Sequence, residues 1–348
     1  MLTLAHFPVN TNKQAIVRQI NQSYPLRFSI FTGTFAAIVL MRAAPLHAQA
    51  FPTRPVRLIA PFAAGGGADL AARRLAERLN HRWKQPVIVH NIAGGAGNSA
   101  AQAVAHSERD GYTLFFASLP ILVTNPLLYA NLPFNAERDF APVILVSDTP
   151  HILLVSAASR ATKLSELIAH AKAQPGKVNF GSGGQGTSLH LAGELFKSVA
   201  GIDMVHIPYK GAAPAVAAML GDEIQMMFDN GAAALGHIRG GRVRGLGIAA
   251  KTRASVLPEV PTFDEGGIAN FYSGVPHGVL VASGTPTHII TVVNRSINAV
   301  FNEPDYRKAA VQSGINLAGG DPAQLTAYLA SEKKKWQPLI QRKGIKAY

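Results

Sequence analysis

The sequence predicts an α/β protein of two similar halves, each a parallel sheet covered by helices. Three observations predict it. From residue 55 onward, short apolar runs rich in β-branched residues alternate with longer helical runs, the pattern of βαβ units with right-handed crossovers. The scheme restarts past residue 150. In each half a strand runs into a cluster of glycines and then a helix, and open parallel sheets bind ligands beyond such strand ends.

The elements follow in order. "PVRLIAPF" (55–62) is a buried strand, "AAGGG" a loop, and "ADLAARRLAERLNHRW" (68–83) a helix. In that helix Leu75, Leu79 and Trp83 recur every four residues, and Asp69 sits in the first turn, where a carboxylate suits the helix dipole. "PVIVHNI" (86–92) is the second strand, "AGGAGNSA" a second glycine loop, "AQAVAHS" its helix, and "GYTLFFAS" (111–118) the third strand. The second half opens on the strand "HILLVSA", then the helix "LSELIAHAKAQPG", ended by Pro175-Gly176. "KVNFGS" leads into "GGQG" and the helix "TSLHLAGELFKSVAG", with Leu191, Leu195 and Val199 on one face. "DMVHIPY", "EIQMMFD" and "VRGLGIAA" are strands, "APAVAAMLG" is a helix, and "LPEVPTFDEGG" (257–267) is a connector. The tail reads as the strand "GVLVAS" and three helical runs, the last with a solvated Lys face in "SEKKKW".

At 348 residues, 48% apolar and 15% charged, the chain is long enough for two well-buried domains. Its first fifty residues stand apart. Lys13, Arg18 and Arg27 precede the apolar run "FSIFTGTFAAIVL" (28–40), and "APLHAQA" follows. Basic, apolar and A-x-A segments in that order predict a secretory signal cleaved after Ala50, since a spanning helix needs about 20 apolar residues. Of 33 Lys and Arg against 20 Asp and Glu, four cations and no acid lie in that leader. The remaining cations are scattered without interleaved aromatics, so nucleic acid is not an expected partner. The absence of cysteine excludes disulfides, thiolate metal sites and cysteine nucleophiles.

A glycine turn entering a helix exposes N–H groups with no intrahelical partner, and these suit a carboxylate or phosphate. Two such loops, "PFAAGGGADL" (61–70) and "GSGGQGTSLHL" (181–191), lie in different halves and can hold one small anion between them. Ser182, Thr187 and Ser188 offer hydroxyls there, or cap the helix. His190 is either a packed histidine or a ligand contact. Asp229 closes a strand and either meets a ligand amine or caps the following helix.

The spacing Gly181-x-Gly183-x-x-Gly186, with Asp203 downstream, also fits a dinucleotide fingerprint. A nicotinamide-dependent oxidoreductase is therefore a competing reading, disfavoured by export. No nucleophile elbow, H-E-x-x-H or P-loop occurs, and the twelve histidines form no cluster in sequence. Neither an enzyme, a cofactor nor a metal is expected.

Taken together, "PVRLIAPFAAGGGAD", "QPVIVHNIAGGAGN", "DGYTLFFAS", "NPLLY", "DFAPVILV", "VNFGSGGQGTSLHLAGELFK", "DMVHIPYKGAAPAVAAMLG", "IQMMFDN" and "LPEVPTFDEGG" resemble the Bug-type solute receptors of tripartite tricarboxylate transporters. The resemblance covers Phe51 to Lys346. It implies a type II periplasmic-binding-protein fold with a hinge and an interdomain cleft: domain 1 from 51–150 plus 275–348, domain 2 from 151–274. It also implies a monomeric periplasmic receptor that passes a small carboxylate to membrane subunits; a sensor without a transport role is the variant of that reading. By position the ligand would meet Phe62, Ala63, Gly65, Gly66, Gly67 and Ser118 on one jaw. On the other stand Ser182, Gly183, Gly184, Gly186, Thr187 and His190, with Tyr209, Lys210 and Gly211 behind and Asp229 where some members meet an amino group. Ala68 and Leu119-Pro120 replace more polar family residues, and the tryptophan usual before "GVL" is missing. These departures leave room for a smaller or more apolar acid, or for altered specificity.

Overall fold

In a computed structural model of the chain, residues 51–65 and 67–347 are described. The expected signal segment and Gly66 lie outside the described residues. The order is β1 (Val56–Ala60), α1 (Gly67–Trp83), β2 (Val87–Asn91), α2 (Asn98–Ala105), β3 (Thr113–Ser118), α3 (Pro120–Val123), α4 (Asn125–Leu128) and β4 (Phe140–Ser156). It continues with α5 (Leu164–Ala173), β5 (Asn179–Ser182), α6 (Ser188–Ala200), β6 (Val205–Pro208), α7 (Ala212–Leu220), β7 (Met226–Asn230), α8 (Gly231–Arg239) and β8 (Val243–Ile248). Last come β9 (Gly274–Ala282), α9 (Thr287–Phe301), α10 (Pro304–Gln312), β10 (Leu317–Gly319) and α11 (Pro322–Lys343).

The strands run β2-β1-β3-β9-β4-β7-β5-β6, with β8 and β10 also paired to β4. β1 is parallel to β2 and β3, and β5 to β6 and β7, as helical crossovers require. β4 joins the two parallel groups. Its residues 140–150 pair antiparallel with β9, and from His151 onward it pairs with β7 and β8. The sequence pattern shows this strand only from residue 151, because "DFAPVILV" contains a proline and an acid and does not read as a strand. The partner change falls at Pro150, which has no N–H to donate. There the His151 N–H bonds Ser273 O at 2.9 Å and Ala249 N–H bonds His151 O at 2.9 Å.

The His151 side chain is fully buried, with Nδ1 2.9 Å from Ser273 Oγ. Its Nε2 is the one buried side-chain polar atom without a partner among the described residues. Burial, then the nearby Lys335 charge, push its pKa down to about 3, so the ring is neutral.

Each half of the sheet is covered on both faces. α1 and α9 pack on one side of the first half through Leu75, Leu79, Val293 and Ile297, and α2 and α11 on the other through Val104 and Leu325. In the second half α5 and α6 face α7 and α8 across the strands. The α/β class and doubly wound layers match the expectation.

Three local readings change. α2 begins at Asn98, earlier than the apolar run suggested. α8 has no distinct sequence signal beyond its Asn230 cap. In α6 the stripe Leu191–Leu195–Val199 is not the core face. Leu189, Ala192, Phe196 and Ala200 face the sheet, Leu191 and Leu195 turn to α11, and Val199 is exposed. The helix buries two faces, which a single stripe cannot represent.

Gly193 lets α6 sit against the sheet: a Cβ built there falls 2.1 Å from the buried Phe180 ring. Gly193→Ala is expected to destabilise the protein by about 1–3 kcal/mol through overpacking, read from the midpoint of urea unfolding.

Candidate functional site

Both glycine loops sit at carboxyl ends of parallel strands, and side chains distant in sequence shape each one. In the first, Asp69 is buried at 2% exposure. It accepts the Gly65 N–H at 2.9 Å, Arg73 Nε at 3.0 Å and Asn91 Nδ2 at 2.9 Å. Asn91 also donates to Phe62 O at 2.9 Å. Asp69 and Asn91 thus staple the loop at both ends. The Arg73 hydrogen bond, then that from Gly65, hold the Asp69 carboxyl down at about 2. Its role exceeds the dipole effect read from sequence, and Asn91, on the neighbouring strand, carries no signal of that role in its own segment.

In the second loop the polar side chains turn inward. Ser182 Oγ accepts the Gly184 N–H at 3.1 Å and lies 2.7 Å from His206 Nε2. Thr187 Oγ1 donates to Gly184 O at 2.8 Å and accepts the His190 N–H at 3.4 Å, capping α6. His190 Nδ1 accepts the Gly186 N–H at 3.1 Å, which requires that nitrogen to be unprotonated. The His190 and His206 rings stack at 3.8 Å. Burial first, then neighbouring charge, push both pKa values down to about 4. Gly184 and Gly186 hold φ of 129° and 75°, a region only glycine enters without strain.

After these bonds, the N–H groups of Gly183, Gln185, Ser188 and Leu189 have no hydrogen-bond partner among the described residues. They surround the positive end of a 13-residue helix. The loop faces the segment after β3: a Cβ built on Gly186 lies 3.2 Å from Leu128 Cδ1, and Ser188 and Leu191 share a cavity wall with Leu119, Pro120 and Thr124. That segment reaches the first loop through Gly97, whose built Cβ meets Ile121 at 2.3 Å and Pro61 at 3.3 Å.

A model of the tripartite tricarboxylate transporter family receptor matches residues 71–345. The chain belongs to this family. BugT from Bordetella pertussis is 36% identical over 306 residues, covering 87% of this chain and 94% of its own. An R. palustris structure with adipate has a TM-score of 0.77 at 30% identity, covering 85% of this chain and 99% of its own. MatC from Rhodopseudomonas palustris with bound malate has a TM-score of 0.72 at 28% identity, covering 83% and 100%.

In this receptor the remaining residues distribute unevenly around the site. Phe62, Ala63 and Gly65 are exposed on the first loop. The Gly65 N–H is held by Asp69, so it is not a free donor. Gly66 lies outside the described residues, and Gly67 opens α1. Ser118 is buried at the end of β3 opposite His277. Gly211, at φ 113°, precedes α7 and donates to Gly183 O at 3.2 Å. Lys210 is exposed, and Tyr209 faces Glu223.

Asn230, not Asp229, caps α8, accepting the Ala233 N–H at 3.0 Å. Asp229 keeps one hydrogen bond, from the Asn230 N–H, and burial pushes its pKa up to about 6. Asp203 precedes β6, at the end of the sheet opposite the glycine loop. An acid there does not reach a ribose whose pyrophosphate occupies the loop, so the dinucleotide pattern lacks its second element. Among the described residues no group of His, Asp and Glu is arranged for a metal.

Neutral His190 and His206 contribute stability that is full above their unfolded pKa of about 6.5. That contribution is lost as pH falls toward about 4. His151 and His277 add to the same trend, Asp229 partly opposes it, and the contribution of Asp69 is lost only below about pH 4, as pH falls toward about 2. The melting temperature is expected to fall between pH 6.5 and 4, and less steeply in His206→Asn than in the parent.

Proposed function

We propose that the protein is a periplasmic, non-enzymatic receptor that binds one small organic carboxylate and delivers it to the membrane subunits of a tripartite tricarboxylate-type transporter. The observation that carries this reading is the set of four unpartnered N–H groups around the start of α6. They oppose the end of β3 across the gap between the two halves. Each charge-assisted hydrogen bond to such a donor contributes about 1.5–3 kcal/mol, so three support micromolar binding after ordering costs. The adipate- and malate-bound relatives support a carboxylate as the ligand class.

The halves 51–150 plus 275–348 and 151–274 act as two jaws, with the β4 partner change and the Ser273–Gly274 link as hinge. Ligand contact with both jaws supplies the differential affinity that closes them. Export through the leader, cleavage after Ala50 and a monomeric state complete the proposal.

A thermal-shift screen of the purified protein against mono-, di- and tricarboxylates, amino acids and aromatic acids tests it. At least one carboxylate is expected to raise the melting temperature; if none does, the reading fails. Gly186→Val forces a β-branched residue into left-handed backbone at about 1–2 kcal/mol beside Leu128. It is expected to weaken the stabilising carboxylate at least tenfold by calorimetry, with the far-ultraviolet circular dichroism retained.

A further inference from the structure

Ser188, the first residue of α6, lines a small cavity between the halves whose walls are mostly apolar. Leu119, Pro120, Val123, Leu191, Pro276 and Trp336 supply its apolar lining. The polar lining groups are already engaged. Thr124 Oγ1 donates to Pro120 O at 3.1 Å. Glu332 accepts Trp336 Nε1 at 2.9 Å and Lys335 Nζ at 2.5 Å. Ser188 is the exception, and it is the first residue of the helix that presents the free N–H groups. In this arrangement the space is about 10 Å³, the room one water needs.

We infer that this receptor selects a monocarboxylic acid with an apolar body, aliphatic or aromatic, over di- and tricarboxylates. The inference rests on the carboxylate-receptor reading above and names the substrate class of that same site. One carboxylate is met by the amides at Ser188 and Leu189, and the rest of the molecule lies against Leu119, Val123, Leu191 and Trp336 as the halves part to admit it. A second carboxylate in that space finds no Lys or Arg on the lining. The one charged side chain on the lining is another carboxylate, Glu332, which already holds Lys335. An ionised group so placed loses hydration with no partner to replace it. Methylenes gain instead, at about threefold to fourfold in affinity for each one buried.

Hexanoate and adipate make the decisive pair, because they share a six-carbon chain and differ by one carboxylate. Calorimetric titration of the purified protein with acetate, butyrate, hexanoate, benzoate, adipate and malate is expected to show affinity rising from acetate to hexanoate. Hexanoate is expected to bind at least tenfold tighter than adipate. Adipate or malate binding tighter than hexanoate overturns this inference and leaves the carboxylate-receptor reading standing. Absence of binding by all six acids overturns this inference, and the carboxylate-receptor reading falls with it when the wider thermal-shift screen also finds no carboxylate ligand. Val123→Thr adds a hydroxyl at nearly constant volume. In a variant that melts within a few degrees of the parent, the hexanoate-to-adipate ratio is expected to fall at least threefold, and an unchanged ratio removes the cavity from the recognition of the ligand.

Discussion

A helix cannot satisfy the first N–H groups of its own backbone, and the rest of this structure is organised around where that deficit is left open. In α6 the deficit is divided. Thr187 takes the His190 N–H, and His190 in turn takes the Gly186 N–H. Ser182 takes the Gly184 N–H. What remains, at Gly183, Gln185, Ser188 and Leu189, is a compact group of donors beside a helix dipole. The hydroxyls and the imidazole shape the loop so that the donors left free belong to the main chain rather than to side chains. Main-chain donors carry no net charge and need no counterion, so water can satisfy them until an anion displaces it.

The same economy governs the connection between the halves. β4 supplies one continuous strand of 17 residues to both groups of parallel strands. The exchange of partners occurs at one peptide, between Pro150 and His151. Elsewhere α6 meets the first half through Leu191 and Leu195, packed with Val123, Leu128 and Trp336. Lys343 adds an ion pair to Glu194 at 3.6 Å. The element that presents the free amides is therefore also the element that packs across the gap, which couples the position of the donors to the arrangement of the halves.

Electrostatics reinforce that division. Four histidines, 151, 190, 206 and 277, are kept neutral by burial. Two of them hold the second loop by accepting or sharing protons at defined nitrogens. No Lys or Arg is among the cavity-lining residues, and the one acid there, Glu332, is engaged by Lys335 and Trp336. The start of α6 thus sets free amides beside a mostly apolar cavity lining.

The sequence by itself determined the α/β class, the order of its main strands and helices, the two glycine loops and the family. Each of these is written in local periodicity, in glycines before helices, or in contiguous blocks such as "GSGGQGTSLHL". It left the donor inventory open. Gly65 reads as a free amide until Asp69 is seen to hold it, and Ser182 reads as a ligand hydroxyl until His206 is seen beside it. His206 and Asn91 carry no signal of their own, because each acts on a loop more than twenty positions away. Only the tertiary structure brings those partners together. A hydrogen bond between distant residues leaves no periodic trace in either segment, so which amides stay free for a ligand is decided by packing.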